Sequence, residues 1–120
     1  IKLFNKVKYP YNVNQLTQEF VNGEIEENER KNEWVQTILN GRKYLEQELP
    51  KFPYVKQLYP SDANFVLVRV ADANKVYNEL VTKGVIIRNR NSVSLCGGCV
   101  RITVGTEGEN KSLLEAMKNL

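Results

Sequence analysis

The sequence has 120 residues, 42% of them hydrophobic and 26% charged, which is the composition of one ordinary soluble domain. Its net charge is +3, but the basic residues are scattered and form neither the run nor the aromatic-lined patch typical of nucleic-acid binding. With no membrane-length apolar segment, no signal-peptide pattern and only two cysteines, we expect a cytoplasmic protein that spans no membrane. The absence of histidine removes the commonest general base and metal ligand from these residues.

The first residues read as a connecting segment. The chain begins with Ile1 and its only methionine is Met117, so we expect a processed chain or a piece of a longer protein. Residues 1–13 are expected to be extended, because Pro10 disfavours helix in the residue before it. A short helix is predicted over 14–21, ended by the Asn-Gly pair that follows.

A long amphipathic helix is predicted over about 24–49. Its early acidic residues suit a helix N-terminus, whereas Gly41 weakens it by ~1 kcal/mol relative to alanine. Pro50 and Pro53 end it. The apolar residues that recur at three- and four-residue spacing are Trp34, Val35, Ile38, Leu39, Leu45 and Leu49.

The second half alternates strands with helices. Strands are predicted near 65–70, 85–89 and 100–104, with a loop over 91–98. Asp72 can cap the first helix of this half, which Gly84 ends, while Thr106 and Glu109 have the spacing of a capping box for the second. The predicted inward-facing residues of the two helices are Ala73, Val76, Tyr77, Leu80, Leu113, Leu114, Met117 and Leu120.

This order of elements predicts an α+β two-layer sandwich, in which helices cover a small mixed or antiparallel sheet and a long amphipathic helix precedes it. A right-handed crossover makes the first two predicted strands parallel if they share a sheet. The third strand is expected to run antiparallel to both. The sequence shows neither internal repeats nor low-complexity segments.

Two local motifs suggest chemistry that the rest of the sequence does not support. Cys96 and Cys99 flank two glycines, but a structural zinc needs four ligands, and a thioredoxin-type pair precedes a helix instead of a strand. We therefore expect a loop with incidental thiols and no metal site. The glycines of 105–110 match no nucleotide-binding spacing, and Glu107 and Glu109 would repel an anion from that helix N-terminus.

Two arginines make a better candidate site. Alternation places Val100 and Ile102 on the core face of their strand, so Arg101 points away from the core. Simple exposure is the commoner explanation of such an arginine. However, Arg88 lies on the preceding strand, and no carboxylate neighbours either residue in sequence. Two guanidinium groups on one sheet face are a plausible receptor for a carboxylate or a phosphate.

The same segments resemble the histidinol-phosphate aminotransferase family, which belongs to the fold-type-I enzymes dependent on pyridoxal phosphate. The similar stretches of the C-terminal part are YPSDANFVLVRV, KG-VIIRNR and CVRITVGTEGENKSLLEAMKNL. NKVKYPYNVNQLTQEF is similar to the segment that links the large domain of these enzymes to the small one. The resemblance implies a linking segment over 1–23 and a small, C-terminal domain over 24–120.

The resemblance also implies roles for the arginines. Arg101 matches the arginine that binds the substrate anion in this family, which is a carboxylate in glutamate and 2-oxoglutarate and a phosphate in histidinol phosphate. Arg88 is expected to assist it by contacting the additional phosphate oxygen. Arg69 and Arg90 are expected to be surface residues.

The family holds pyridoxal 5'-phosphate through a Schiff-base lysine and other residues of its large domain, and no segment here resembles those motifs. The resemblance therefore implies that this chain alone is inactive. The full-length protein is expected to be a homodimeric transaminase of histidine biosynthesis, converting L-histidinol phosphate and 2-oxoglutarate to imidazole acetol phosphate and L-glutamate.

Two alternatives remain open. One is a related enzyme that uses the same cofactor on another amino-acid phosphate or an aromatic amino acid. The other is a non-enzymatic α+β module that binds a small anion or a protein partner.

Overall fold

The computed structural model describes residues 13–25 and 28–120. The chain divides into two compact units, Ile1–Glu33 and Trp34–Leu120. The candidate site and its supporting elements belong to the second unit. In the described ranges, no helix combines the length and the apolar character needed to cross a membrane.

Helix α1 in the first unit spans Gln15–Glu24 and begins where the sequence predicts. Asn14 caps it, since its side-chain oxygen accepts a hydrogen bond from the amide of Thr17 at 2.9 Å. The predicted end at Val21 is three residues too early, because the helix continues through the Asn-Gly pair to Glu24. The sequence predicts an extended segment over 1–13, and residues 1–12 of it lie outside the described ranges.

Helix α2 spans Asn28–Glu48 and passes into a 3-10 turn at Leu49–Lys51, close to the predicted end. Only the second half of its apolar stripe is buried: Leu45 and Leu49 are inaccessible to solvent, and Ile38 packs against the core. The stripe residues nearer the start of the helix are exposed, namely Trp34, Val35 and Leu39. Periodicity thus predicted the helix and its end, but the predicted start near 24 is wrong, since Glu24 belongs to α1, and the buried part of the stripe is shorter than predicted.

One sheet of four strands organises the second unit, in the order β1-β2-β4-β3. The strands are β1 (Val55–Tyr59), β2 (Phe65–Val70), β3 (Arg88–Asn89) and β4 (Cys99–Thr103). Neighbouring strands are all antiparallel. Because β2 and β3 both pair antiparallel with β4, they run parallel to each other, as predicted for the first two predicted strands.

The sheet differs from the sequence prediction at its two edges. Strand β1 was missed, since a register shift between Val55 and Gln57 interrupts the alternation that marks a strand. Strand β3 is shorter than the predicted 85–89, because the amide of Val85 donates to the carbonyl of Leu80 and so belongs to the helix terminus. Gly84, at φ +77°, makes that terminus possible.

Two helices cover one face of the sheet, as the two-layer prediction requires. They are α3 (Ala73–Thr82), capped by Asp72, and α4 (Glu107–Met117), which begins with the predicted capping box. Their inward faces match the prediction. The core consists of Leu45, Leu49, Val66, Val68, Val70, Ala73, Val76, Leu80, Ile87, Val100, Ile102, Val104, Leu113, Leu114 and Met117.

Gly41 lets α2 approach the turn between β4 and α4. The buried Asn110 side chain holds this turn, since it accepts a hydrogen bond from the Gly105 amide and donates to the Gly105 carbonyl, both at 3.0 Å. A Cβ on Gly41 would lie 2.8 Å from Val104 Cγ1 and 3.0 Å from Asn110 Nδ2. The glycine that the sequence presents as a helix weakness therefore serves close packing.

Gly41→Ala should accordingly destabilise the protein by about 1–3 kcal/mol, because overpacking outweighs the ~1 kcal/mol gained in helix propensity. Denaturant unfolding measures the change. Gly108→Ala is the matched control, since a Cβ there meets nothing within 4 Å, and it should be neutral or stabilising. A Gly41→Ala protein at least as stable as the unchanged one would contradict the packing role.

Tyr54 ties the segment before β1 to the C-terminal helix. Its hydroxyl donates to the carbonyl of Met117 at 2.7 Å. Burial raises the pKa of Tyr54 to about 12, and the charge of Glu79 adds to the rise. The neutral phenol is thus favoured by folding, and its contribution to stability is complete below the unfolded-state pKa of about 10.

The free energy of unfolding should therefore fall as the pH rises from about 10 to about 12. Tyr54→Phe should remove the part of this fall in the free energy of unfolding that Tyr54 causes. Glu79→Gln should only reduce that part, because burial is the larger cause of the raised pKa of Tyr54. Denaturant titrations at several alkaline pH values measure both effects. Identical pH profiles for Tyr54→Phe and the unchanged protein would show that Tyr54 does not titrate with unfolding.

Candidate anion-binding site

The strand pattern sorts β2 and β4 into a core face and an outer face. Val100 and Ile102 are buried under the helices, and Arg101 between them lies on the outer face, half-buried. This placement matches the alternation predicted from the sequence. The outer face is therefore where the candidate site is built.

Arg88 and Arg101 are direct cross-strand partners in the pairing of β3 with β4. Directly opposite residues on antiparallel strands have Cβ atoms about 4.5–5.5 Å apart on one face of the sheet. The structure thus brings together the two arginines that the sequence singled out. Like charges in this position destabilise a sheet, so the pair favours an anion between or above the two guanidinium groups.

The Arg101 side chain packs on an aromatic ring, and one of its hydrogen-bond donors has no partner. Its guanidinium carbon lies 5.1 Å from the centroid of the Phe65 ring, in the range of a cation–π contact. Its Nε is inaccessible to solvent and has no hydrogen-bond partner. A buried donor without a partner costs about 1–3 kcal/mol, so a bound acceptor would stabilise this side chain. Arg88 is exposed and free to adjust.

Within the described residues, the strands that surround the pair carry no negative charge. None of the four strands contains an aspartate or a glutamate. In the part of the chain that the structure describes, the ion pairs of the second unit lie on the helices and the 3-10 turn and do not involve Arg88 or Arg101. The outer face is consequently electropositive.

Arg69 was expected to be a surface residue, and it lies on the same outer face as Arg101. It is half-buried, its Nε is solvent-inaccessible without a partner, and its guanidinium carbon lies 6.0 Å from the Tyr59 ring centroid. The side chain of Cys99, and then that of Tyr59, raises the pKa of Arg69. The alternation of β2, which places Arg69 on the same face as Leu67, was the signal that could have identified it.

The glycine turn after β4 starts a helix and does not cradle phosphate. The Thr106 amide and hydroxyl donate to the Glu109 carboxylate at 2.7 and 2.8 Å, and the Glu109 amide donates to the Thr106 hydroxyl at 3.3 Å. The hydrogen bond from the backbone of Thr106, followed by that from its side chain, lowers the pKa of Glu109. A carboxylate therefore already occupies this helix N-terminus.

The described residues do not fit the pocket of pyridoxal phosphate. A lysine that holds this cofactor needs an enclosed environment, and every described lysine is exposed. Those lysines are Lys31, Lys43, Lys51, Lys56, Lys75, Lys83, Lys111 and Lys118. Nor do the described ranges contain a group of three or more residues suited to hold a metal ion. The feature of this sheet that could take a ligand is the pair of arginines.

Comparisons with known proteins identify the family of the chain. The family described as aminotransferase class I and II matches residues 1–117. Histidinol-phosphate aminotransferases are 52% identical over 118 residues in Bacteroides fragilis and 52% identical over 120 residues in Parabacteroides distasonis. These alignments cover 98% and 100% of this chain, and 34% and 35% of the relatives.

A solved structure shows the same fold. The crystal structure of the histidinol-phosphate aminotransferase from Clostridium acetobutylicum superposes with a TM-score of 0.83 at 25% sequence identity. It covers 96% of this chain, which in turn spans 35% of that protein. The chain therefore spans about a third of the length of the relatives that it matches, and it belongs to the class I and II aminotransferase family.

Proposed function

We propose that this chain is the small, C-terminal domain of a histidinol-phosphate aminotransferase and that its sheet supplies the arginines that bind the substrate anion. Residues 1–23 are the segment that links it to the large domain, and 24–120 form the small domain. Identities of 40–52% to histidinol-phosphate aminotransferases across nearly the whole chain support this assignment.

The observation that carries the proposal is the cross-strand arginine pair on an acid-free sheet face. Two adjacent guanidinium groups repel each other and lose solvation when the face is covered, so an anion is needed to offset both costs. A planar fork of N–H donors matches the oxygens of a carboxylate or a phosphate, and the unpartnered Arg101 Nε adds a donor near the sheet.

The transaminase reaction requires one site to accept two kinds of anion in turn. Glutamate and 2-oxoglutarate carry a carboxylate next to the reacting carbon, whereas histidinol phosphate carries a phosphate ester from that side. Arg101, fixed by the strand and by Phe65, binds the oxygens that both anions share. Arg88, which is exposed, contacts the additional oxygen of the phosphate.

Pyridoxal phosphate supplies the electron sink for the reaction when it is bound by the part of the enzyme outside this chain. The arginines hold the substrate so that its reacting carbon is presented in a fixed orientation, which lowers the entropic part of the barrier. We place the full-length protein in the cytoplasm as a homodimer, on its similarity to this enzyme family.

Arg101→Ala in the full-length enzyme should lower kcat/KM by about 30- to 1,000-fold for both glutamate and histidinol phosphate, which corresponds to about 2–4 kcal/mol of lost transition-state binding. Arg88→Ala should reduce the value for histidinol phosphate more than that for glutamate. Steady-state kinetics of both half-reactions measure the two effects.

Lys75→Ala is the matched control, because it removes a positive charge from α3, on the helix-covered side, where Lys75 pairs with Glu79 at 3.6 Å. It should leave both values nearly unchanged. Unaltered kinetics of Arg101→Ala with both substrates would remove Arg101 from the site. Higher kcat/KM with another amino-acid phosphate than with histidinol phosphate would assign the chain to a related enzyme.

A further inference from the structure

The two cysteines of the chain lie at the ends of a tight turn. The amide of Cys99 donates to the carbonyl of Cys96 at 2.9 Å, which closes a four-residue β-turn. The Cα atoms at the ends of such a turn are less than about 7 Å apart, and disulfides most often join Cα atoms about 4.4–6.8 Å apart. The backbone therefore already has a separation that a disulfide can bridge.

The two residues between the cysteines are glycines, which suit a tight turn. Gly98 has φ +75°, the conformation that a type II turn requires at its third position. A Cβ on Gly97 would meet nothing within 4 Å, whereas one on Gly98 would lie 3.4 Å from the Val70 carbonyl oxygen and 3.7 Å from Arg69 Cγ. Both thiols are free in the structure.

The turn is held in place from both sides, unlike the incidental loop that the sequence suggests. The Gly98 amide donates to the Asn91 side-chain oxygen at 2.8 Å, and the Gly98 carbonyl accepts from the Val70 amide at 2.9 Å. The carbonyl of Cys99 also accepts from the Arg90 amide at 2.9 Å. Holding two reacting groups close together raises their effective concentration.

The two thiols differ in accessibility. Cys96 is half-exposed, whereas Cys99 is buried, with its sulfur 3.8 Å from the carbonyl oxygen of Gly97. An accessible cysteine beside a protected one suits reversible thiol oxidation. The accessible sulfur reacts with the oxidant, and the protected sulfur then attacks the resulting intermediate to form the disulfide.

We propose that Cys96 and Cys99 are a dithiol–disulfide pair, and that a small-molecule disulfide such as oxidised glutathione oxidises them reversibly. The disulfide fixes the turn from which β4 starts, two residues before Arg101.

The exchange balances without any further reactant. The Cys96 thiolate attacks one sulfur of oxidised glutathione, forming a mixed disulfide and releasing one glutathione thiolate. The Cys99 thiolate then attacks the Cys96 sulfur and releases the second glutathione. The two protons lost by the protein thiols are taken up by the two glutathione thiolates, so the protein is oxidised by two electrons and one glutathione disulfide is reduced.

The test uses the full-length protein in glutathione buffers of graded redox potential, followed by acid quenching, alkylation of free thiols and tryptic digestion. Cleavage after Arg90 and Arg101 gives one peptide, NSVSLCGGCVR, that carries both cysteines. We expect it to lose two hydrogens under oxidising buffer and to regain two alkylatable thiols under reducing buffer. A peptide that keeps two thiols throughout, or that carries glutathione in place of the internal bond, would overturn the proposal.

Two sets of variants test the mechanism. Cys99→Ser should trap one glutathione on Cys96, whereas Cys96→Ser should react much more slowly, because its remaining thiol is buried. Asn91→Ala should lower the effective concentration of the pair about fivefold, the effect of one net hydrogen bond. Ser94→Ala in the same exposed loop is its control and should change nothing. Equal glutathionylation of the two cysteine variants would contradict the assigned order of attack.

Discussion

The register between β2 and β4 is the constraint on which the rest of this domain depends. Pairing Val66 with Ile102 and Val68 with Val100 gives the helices one continuous apolar surface to cover. The same register turns Arg101 to the opposite face, beside Leu67. Since side chains alternate with a period of two, a slip by one residue would bury the guanidinium and expose the valines. The register that forms the core is thus the same one that places Arg101 on the outer face.

Alternation and capping made much of this domain predictable. The strand containing Arg101, the helix after Asp72 and the capping box of Thr106 and Glu109 carry strong local signals, and all three form as expected. Strand β1 was not predictable in the same way, because its register shift breaks the period, and the role of Gly41 depends on the distant Val104. Such features arise from contacts between segments and leave no mark in the local pattern.

The candidate site, too, was only partly predictable from the sequence. Alternation placed Arg101 on the outer face, but it could not show that Arg88 is its direct partner or that Phe65 lies beneath it. Arg69 was overlooked because a lone arginine on a strand is usually solvated. Its contacts with Tyr59 and Cys99 appear only when the strands are aligned. The outer face therefore carries the proposed anion-binding pair, and the proposed thiol pair lies in the turn that leads into the same strand.

The central claim is that Arg88 and Arg101 serve a single anion, and a double-mutant cycle on phosphate binding tests it most directly. Calorimetric titration of the full-length protein, the two single alanine variants and the double variant with inorganic phosphate gives the four binding free energies that are needed. If one phosphate bridges both guanidinium groups, the second substitution should cost at least about 1 kcal/mol less after the first than it does alone. If the losses of binding free energy in the two single variants add up to the loss in the double variant to within about 0.5 kcal/mol, the two arginines act independently and the account is contradicted.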